Sequence, residues 1–150
     1  MDLGGEEIIC ASRETVWNAL NDPSVLAQCI PGCTELLKVS DNEMSAKSTL
    51  KIGPIKASFS GKVTLSDISP LIGYTITGEG QGGAAGFAKG NAKVSLSDHP
   101  DGTHLAYEAK ADVGGKLAQL GGRLIDATAK KLAGEFFAKF ASVVTENSAV

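Results

Sequence analysis

The feature that most constrains this chain is a change of hydrophobic period near its last quarter. From Met44 to Val113 apolar and small residues recur at every second position, and from Lys116 to Thr145 they recur at helical spacing. In "EMSAKSTLKIG" the positions Met44, Ala46, Leu50 and Ile52 share one parity, while Lys47, Thr49 and Lys51 take the other. After a turn at Gly53-Pro54 the odd positions take over with Ile55, Ala57, Phe59, Val63 and Leu65. Ile72, Tyr74 and Ile76 continue the alternation, then Ala88, Ala92, Val94 and Leu96, then Leu105, Tyr107, Ala109, Ala111 and Val113. Turn residues separate the segments: "SDNE", "GP", "SP" and "HPDG". Period two bounded by turn residues specifies half-buried antiparallel strands.

The flanking segments complete the order. Glu6 to Cys10 reads as a first strand. Ser12 then supplies an N-cap oxygen for a short helix carrying Val16, Trp17 and Leu20. Asp22 caps a second one, with Pro23 at its first position and "IPGC" ending it. "TELLKV" adds a strand before the long alternation. In the terminal segment Leu117, Leu120, Leu124 and Ile125 form one stripe, and Leu132, Phe136, Phe140 and Val143 form another. The two are offset by roughly a quarter turn or more. That helix must therefore bend, kink at Gly121-Gly122 or Gly134, or turn its second half to a different surface. The expected fold is α+β, a single domain over residues 1–150. It has a curved antiparallel sheet of about seven strands wrapped on a long C-terminal helix, with two short helices after the first strand.

Composition excludes several function classes. A net charge of -3 and 5% aromatic residues leave no nucleic-acid footprint. No apolar run approaches the ~18 residues of a membrane span. The start lacks a basic region followed by an apolar one, so no signal peptide is expected. Three cysteines, Cys10, Cys29 and Cys33, cannot form an even disulfide framework, and a cytoplasmic location with reduced thiols is expected.

The stretch "GEGQGGAAGFAKG" contains Gly78, Gly80 and Gly83 at the spacing of a dinucleotide-binding loop. A phosphate loop needs a helix opening at its last glycine. Here an alternating segment, "FAKGNAKVSLSD", follows instead. The glycines fit bends and close backbone approaches in a curved sheet. The inward parity is unusually small, including Gly61, Gly78, Ala88, Gly90, Ala92, Ala109 and Ala111. Either the terminal helix lies very close to the sheet, or the space between them is hollow. The hollow is the favoured reading, and an apolar hollow with a few hydroxyls has the make-up of a small-molecule site.

Four segments carry a resemblance to a known family: "VWNALNDPSVLAQCIPGC", "KIGPIKASFSG", "GEGQGGAAGFAKG" and "VGGKLAQLGGRLIDATAKKLAGEFFAKF". In this order and spacing the chain resembles the carbon monoxide dehydrogenase G-subunit family. That family lies within the START-like helix-grip superfamily, with birch-pollen-allergen-like proteins, polyketide cyclases and lipid-transfer domains. The resemblance implies the fold reached above and an accessory, non-catalytic role. The partner would be a molybdenum hydroxylase such as aerobic carbon monoxide dehydrogenase, brought to the inner face of the cytoplasmic membrane and connected to its quinone pool. The implied ligand is a quinone or other isoprenoid lipid, with no covalent cofactor. Longer members carry a hydrophobic C-terminal anchor, whereas these residues stop at "TENSAV", so an integral anchor is not expected within them.

The residues expected to face the ligand are Leu26 and Ile30 from the second short helix, with Leu50, Phe59, Val63, Tyr74, Ile76, Ala92, Val94, Tyr107 and Ala109 from the sheet. Leu120, Leu124, Phe136 and Phe140 join them from the terminal helix. Tyr74 and Tyr107 could each donate a hydrogen bond to a ligand carbonyl. Phe137 sits at the edge of its stripe and is expected at the surface, where it would serve liposome or partner association. No catalytic constellation is visible, since Glu79, Glu108, Lys89 and Asp112 fall on the outward parity. Cys29 and Cys33, with His99 and His104 beside a turn, make a poor metal set, and buried apolar thiols are expected instead. Lys47, Lys51, Lys56, Lys62, Lys89, Lys93 and Lys110 share the outer face, either as a solvated surface or as a dock for an acidic partner or anionic headgroups. Two rival functions stay open: a cyclase or hydrolase of the same superfamily, and a docking module with a filled core.

Overall fold

The computed structural model describes residues 2–148 and realises the two periods as one sheet and one long helix. In chain order the elements are β1 (Asp2–Ile9), α1 (Arg13–Leu20), α2 (Pro23–Cys29), β2 (Cys33–Ser40), β3 (Glu43–Ile52) and β4 (Ile55–Ser69). β5 (Gly73–Gln81), a 3-10 turn (Gly83–Ala85), β6 (Phe87–His99), β7 (Gly102–Gly114), a second 3-10 turn (Gly115–Leu120) and α3 (Gly122–Ser148) follow. All neighbouring strands are antiparallel, in the order β1-β7-β6-β5-β4-β3-β2. This is the helix-grip architecture expected from the alternation.

The short helices start where their caps dictate. Ser12 Oγ accepts from the Thr15 N–H at 3.2 Å, and Asp22 Oδ1 accepts from the Ser24 N–H at 2.9 Å. β1 begins earlier than Glu6, because β7 offers it partners from Asp2↔Lys110 to Ile9↔Thr103 while Gly4 and Gly5 mask the alternation. Ile72 is 59% exposed, not inward. A register shift between Ser66 and Ser69 and a left-handed Leu71 (φ 67°) delay β5 until Gly73.

The glycine-rich stretch runs from β5 through the 3-10 turn into β6, so no helix opens at its last glycine. The expected helix from Lys116 is also divided. Residues 115–120 form the 3-10 turn, Gly121 takes φ 91°, and α3 starts at Gly122. A conformation with φ in that range is strained for any residue with a Cβ, and Gly121 supplies the break the drifting stripes required.

The core lies at the end of the sheet covered by α1, α2 and the second half of α3. Cross-strand register builds one row from Tyr74, Val94 and Tyr107, opposite Gly5 on β1. Tyr74 is 1% exposed and donates its hydroxyl to the Leu20 carbonyl at 2.9 Å, which locks α1 onto the sheet. Tyr107 stacks on Phe137 with centroids 4.0 Å apart and planes 12° from parallel. Its hydroxyl lies over Gly5, where a Cβ would not fit. Phe140, Val143 and Val144 complete the packing.

Phe137 is therefore core, contrary to its expected surface position, at 6% exposure. Facing surfaces, not helical spacing alone, decide which side of a helix is buried. Gly5 leaves room for the end of the Tyr107 ring, and Phe137 stacks on the face that ring presents. Truncating a buried Phe costs about 3–5 kcal/mol. Phe137→Ala is expected to lose stability in that range by urea denaturation. A loss below about 1 kcal/mol would return Phe137 to the surface.

Candidate functional site

Successive rows of the inner face shrink along the sheet away from the core. Beyond Tyr74, Val94 and Tyr107 comes a row of Leu65, Ile76, Ala92 and Ala109. The next is Met44, Val63, Gly78, Gly90 and Ala111, followed by Ala46, Gly61, Gly80, Ala88 and Val113. Two adjacent rows thus place almost no side chain above the middle of the sheet. Opposite them the first half of α3 presents Ile125, Thr128, Ala129 and Leu132. α3 itself is held by α2 and by the edge strand β1. The result is a cavity of about 380 Å³ between sheet and helix, walled also by Leu50, Ile52, Phe59 and Leu117. That volume falls within the range of small-molecule sites.

The lining is apolar apart from two hydroxyls, Ser48 on β3 and Thr128 on α3. Lys62, Glu79 and Lys89 border it, but they stand on the outward parity and are exposed. On that outer face the register sets Lys62 opposite Glu79, Glu79 opposite Lys89, Lys89 opposite Asp112, and Lys93 opposite Glu108. Lys47 pairs with Glu35 at 3.3 Å and Lys62 with Glu43 at 2.9 Å. The lysine row is thus interleaved with carboxylates, as a solvated face requires. Lys51 and Lys56 face each other across the β3–β4 hairpin without such a neighbour.

Of the residues expected to face a ligand, Leu50, Phe59 and Val63 line the cavity. Tyr74, Val94 and Phe140 are buried in the core cluster, Leu26 is buried on α2 outside that cluster, and Ile76, Tyr107 and Phe136 pack against the core. Ala92 and Ala109 are half-buried in the row between core and cavity, and they are not among its lining residues. Ile30 is half-buried at the end of α2, Leu120 is half-buried in the 3-10 turn, and Leu124 is 36% exposed on the first turn of α3. Tyr74 spends its only O–H on Leu20 and has none to offer a ligand carbonyl.

The lining residues missing from that set are Ala46, Ser48, Ile52, the glycines of the two small rows, Ala88, Ala111, Val113, Leu117, Ile125, Thr128, Ala129 and Leu132. The parity of the strand residues was legible, but which small residues stand side by side is a matter of register, and which face of α3 meets them is a matter of helix rotation. Burial pushes the Cys29 thiol pKa up, which keeps it a protonated apolar group. Among the described residues, no three His, Cys, Asp or Glu side chains gather where they could hold a metal ion. Among the same residues, no helix is long and apolar enough to cross a membrane.

A family model describing the G subunit of carbon monoxide dehydrogenase (CoxG) matches residues 5–145. Comparison with curated proteins gave no match. Among solved structures, a conserved protein from Geobacillus kaustophilus is 31% identical and superposes with a TM-score of 0.90, covering 97% of this chain and 96% of that one. The allergen Ara h 8.0201 (14% identical, TM-score 0.68, 97% and 98% covered) shares the fold. So does the Zhui aromatase/cyclase from Streptomyces sp. R1128 (9% identical, TM-score 0.68, 96% and 93% covered).

The glycines of the cavity floor differ in what they tolerate. A Cβ at Gly78 would meet nothing nearer than the Lys62 carbonyl oxygen at 4.0 Å, whereas one at Gly61 would overlap the Glu79 carbonyl oxygen. Replacing a strand glycine also removes an entropic penalty of roughly 0.5–1 kcal/mol. Gly78→Val is expected to leave the urea midpoint unchanged or higher, and Gly61→Ala to lower it. Equal destabilisation of both would mean that the space above Gly78 is filled.

Proposed function

The chain belongs to the CoxG family, that of the carbon monoxide dehydrogenase G subunit, and from that premise we propose that it is a non-catalytic carrier of an apolar ligand. The ligand class that fits this reading is a quinone or another isoprenoid lipid. The protein would take it up at the inner face of the cytoplasmic membrane and serve a molybdenum hydroxylase there. The observation that carries the proposal is the cavity of about 380 Å³ with its apolar lining. Apolar transfer at about 25 cal/mol per Å² would drive binding in such a site.

Catalysis is the weaker reading on the same residues. Acid–base or nucleophilic chemistry needs ionisable groups held against the substrate. The inward lining offers only the hydroxyls of Ser48 and Thr128, and no imidazole, amine or carboxylate stands on its parity to activate them. A filled docking module fits the volume between sheet and helix less well than a carrier does.

Solvent extraction of freshly purified protein followed by mass spectrometry tests the carrier. A quinone or isoprenoid lipid is expected in the extract of the wild type, and much less of it in that of Gly78→Val, whose side chain would occupy the cavity. No lipid in repeated preparations, with no uptake of added quinone, would refute the carrier.

A further inference from the structure

Several hydroxyl groups elsewhere in this fold find protein partners. Tyr74 donates to Leu20, Thr103 donates to the Ala11 carbonyl at 2.8 Å, and Thr49 and Ser58 meet on the outer face at 3.2 Å. The two hydroxyls on the cavity wall do not. Among the described residues, neither Ser48 Oγ nor Thr128 Oγ1 makes a side-chain hydrogen bond. They stand on opposite walls, one on the inward parity of β3 between Ala46 and Leu50, the other on α3 between Ile125 and Leu132.

Two kinds of ligand suit this lining badly. A carboxylate or phosphate would leave water for a surface with no inward cation, because Lys62 is paired to Glu43 and Lys89 lies on the outer face between Glu79 and Asp112. An ion moved into such a place without a partner pays a penalty of several kcal/mol. A pure hydrocarbon would cover both hydroxyls and leave them without water or partner, which also costs affinity.

We propose that the cavity selects an uncharged ligand bearing hydrogen-bond-accepting oxygens, with the Ser48 and Thr128 hydroxyls as the donors that position it. Acids of the same size and shape are rejected, and so are hydrocarbons. The inference rests on the reading of the cavity as a ligand site and adds the chemistry of what enters it. Ser48 and Thr128 are specificity residues, and the apolar wall supplies most of the affinity.

Equilibrium dialysis with three bicyclic probes of similar shape tests this. They are dimethylnaphthoquinone (methylated at both free quinone-ring carbons, so that Cys10 cannot add to it), dimethylnaphthalene and naphthoate. The quinone is expected to bind about tenfold or more tighter than either other probe, the ratio that two net hydrogen bonds supply. In a Ser48→Ala, Thr128→Val double variant that advantage over the hydrocarbon should vanish, while hydrocarbon binding holds or improves. Neither substitution removes a protein partner, and an unchanged thermal midpoint would show the variant folded. Naphthoate binding as well as the quinone, or a double variant that keeps the preference for the quinone over the hydrocarbon, overturns the selectivity alone. Binding of none of the three overturns the ligand site and the selectivity together.

Discussion

Everything in this molecule depends on the register that aligns β3 to β7. Antiparallel pairing puts Gly61 beside Gly80 and Gly78 beside Gly90, with Ala46, Ala88 and Ala111 at their flanks. Since side chains alternate with period two, a slip of one residue in any strand would send its small residues to the outer face. The same register gathers Tyr74, Val94 and Tyr107 into the row that meets the second half of α3. One sheet thereby carries a packed end and a hollow end.

The division explains how a protein can hold a cavity against collapse. Filled cores reach crystal-like density, and voids cost stability unless their walls are fixed from elsewhere. Here the fixing comes from the packed end. Phe137 stacks on Tyr107, Phe140 is fully buried, and α3 lies on α2 and β1. The helix then extends over the small rows as a rigid continuation, with Gly121 marking where it begins. Side chains long enough to bridge the remaining gap are absent from the middle of the two small rows, where Gly61, Gly78, Gly80, Ala88 and Gly90 stand, so helix and floor stay apart there.

Much of this was legible in the sequence, because periodicity and caps are local. Seven strands in their order, both short helices with Ser12 and Asp22 as caps, and the small inward set could all be read directly. Register and helix rotation are not local, and the errors fall there. Ala92 and Ala109 share the parity of Gly90 and Ala111, yet they stand one row nearer the core. Leu124 lies on the expected stripe but outside the grip, since α3 starts only at Gly122 and its first turn is exposed. Phe137 went to the core because Tyr107, whose ring end lies over the distant Gly5, offers it a face to stack on. No spacing within α3 encodes that.

The central claim is that the space above the small rows, and not the packed end, receives an apolar ligand. Methyl NMR on alanine-labelled protein with added dimethylnaphthoquinone tests it most directly. Intermolecular contacts are predicted at the methyls of Ala46, Ala88, Ala111 and Ala129, which come from three different strands and the helix. Ala19, buried in the core cluster, should be silent. Contacts confined to exposed alanines, or none at all at saturating quinone, would contradict the account.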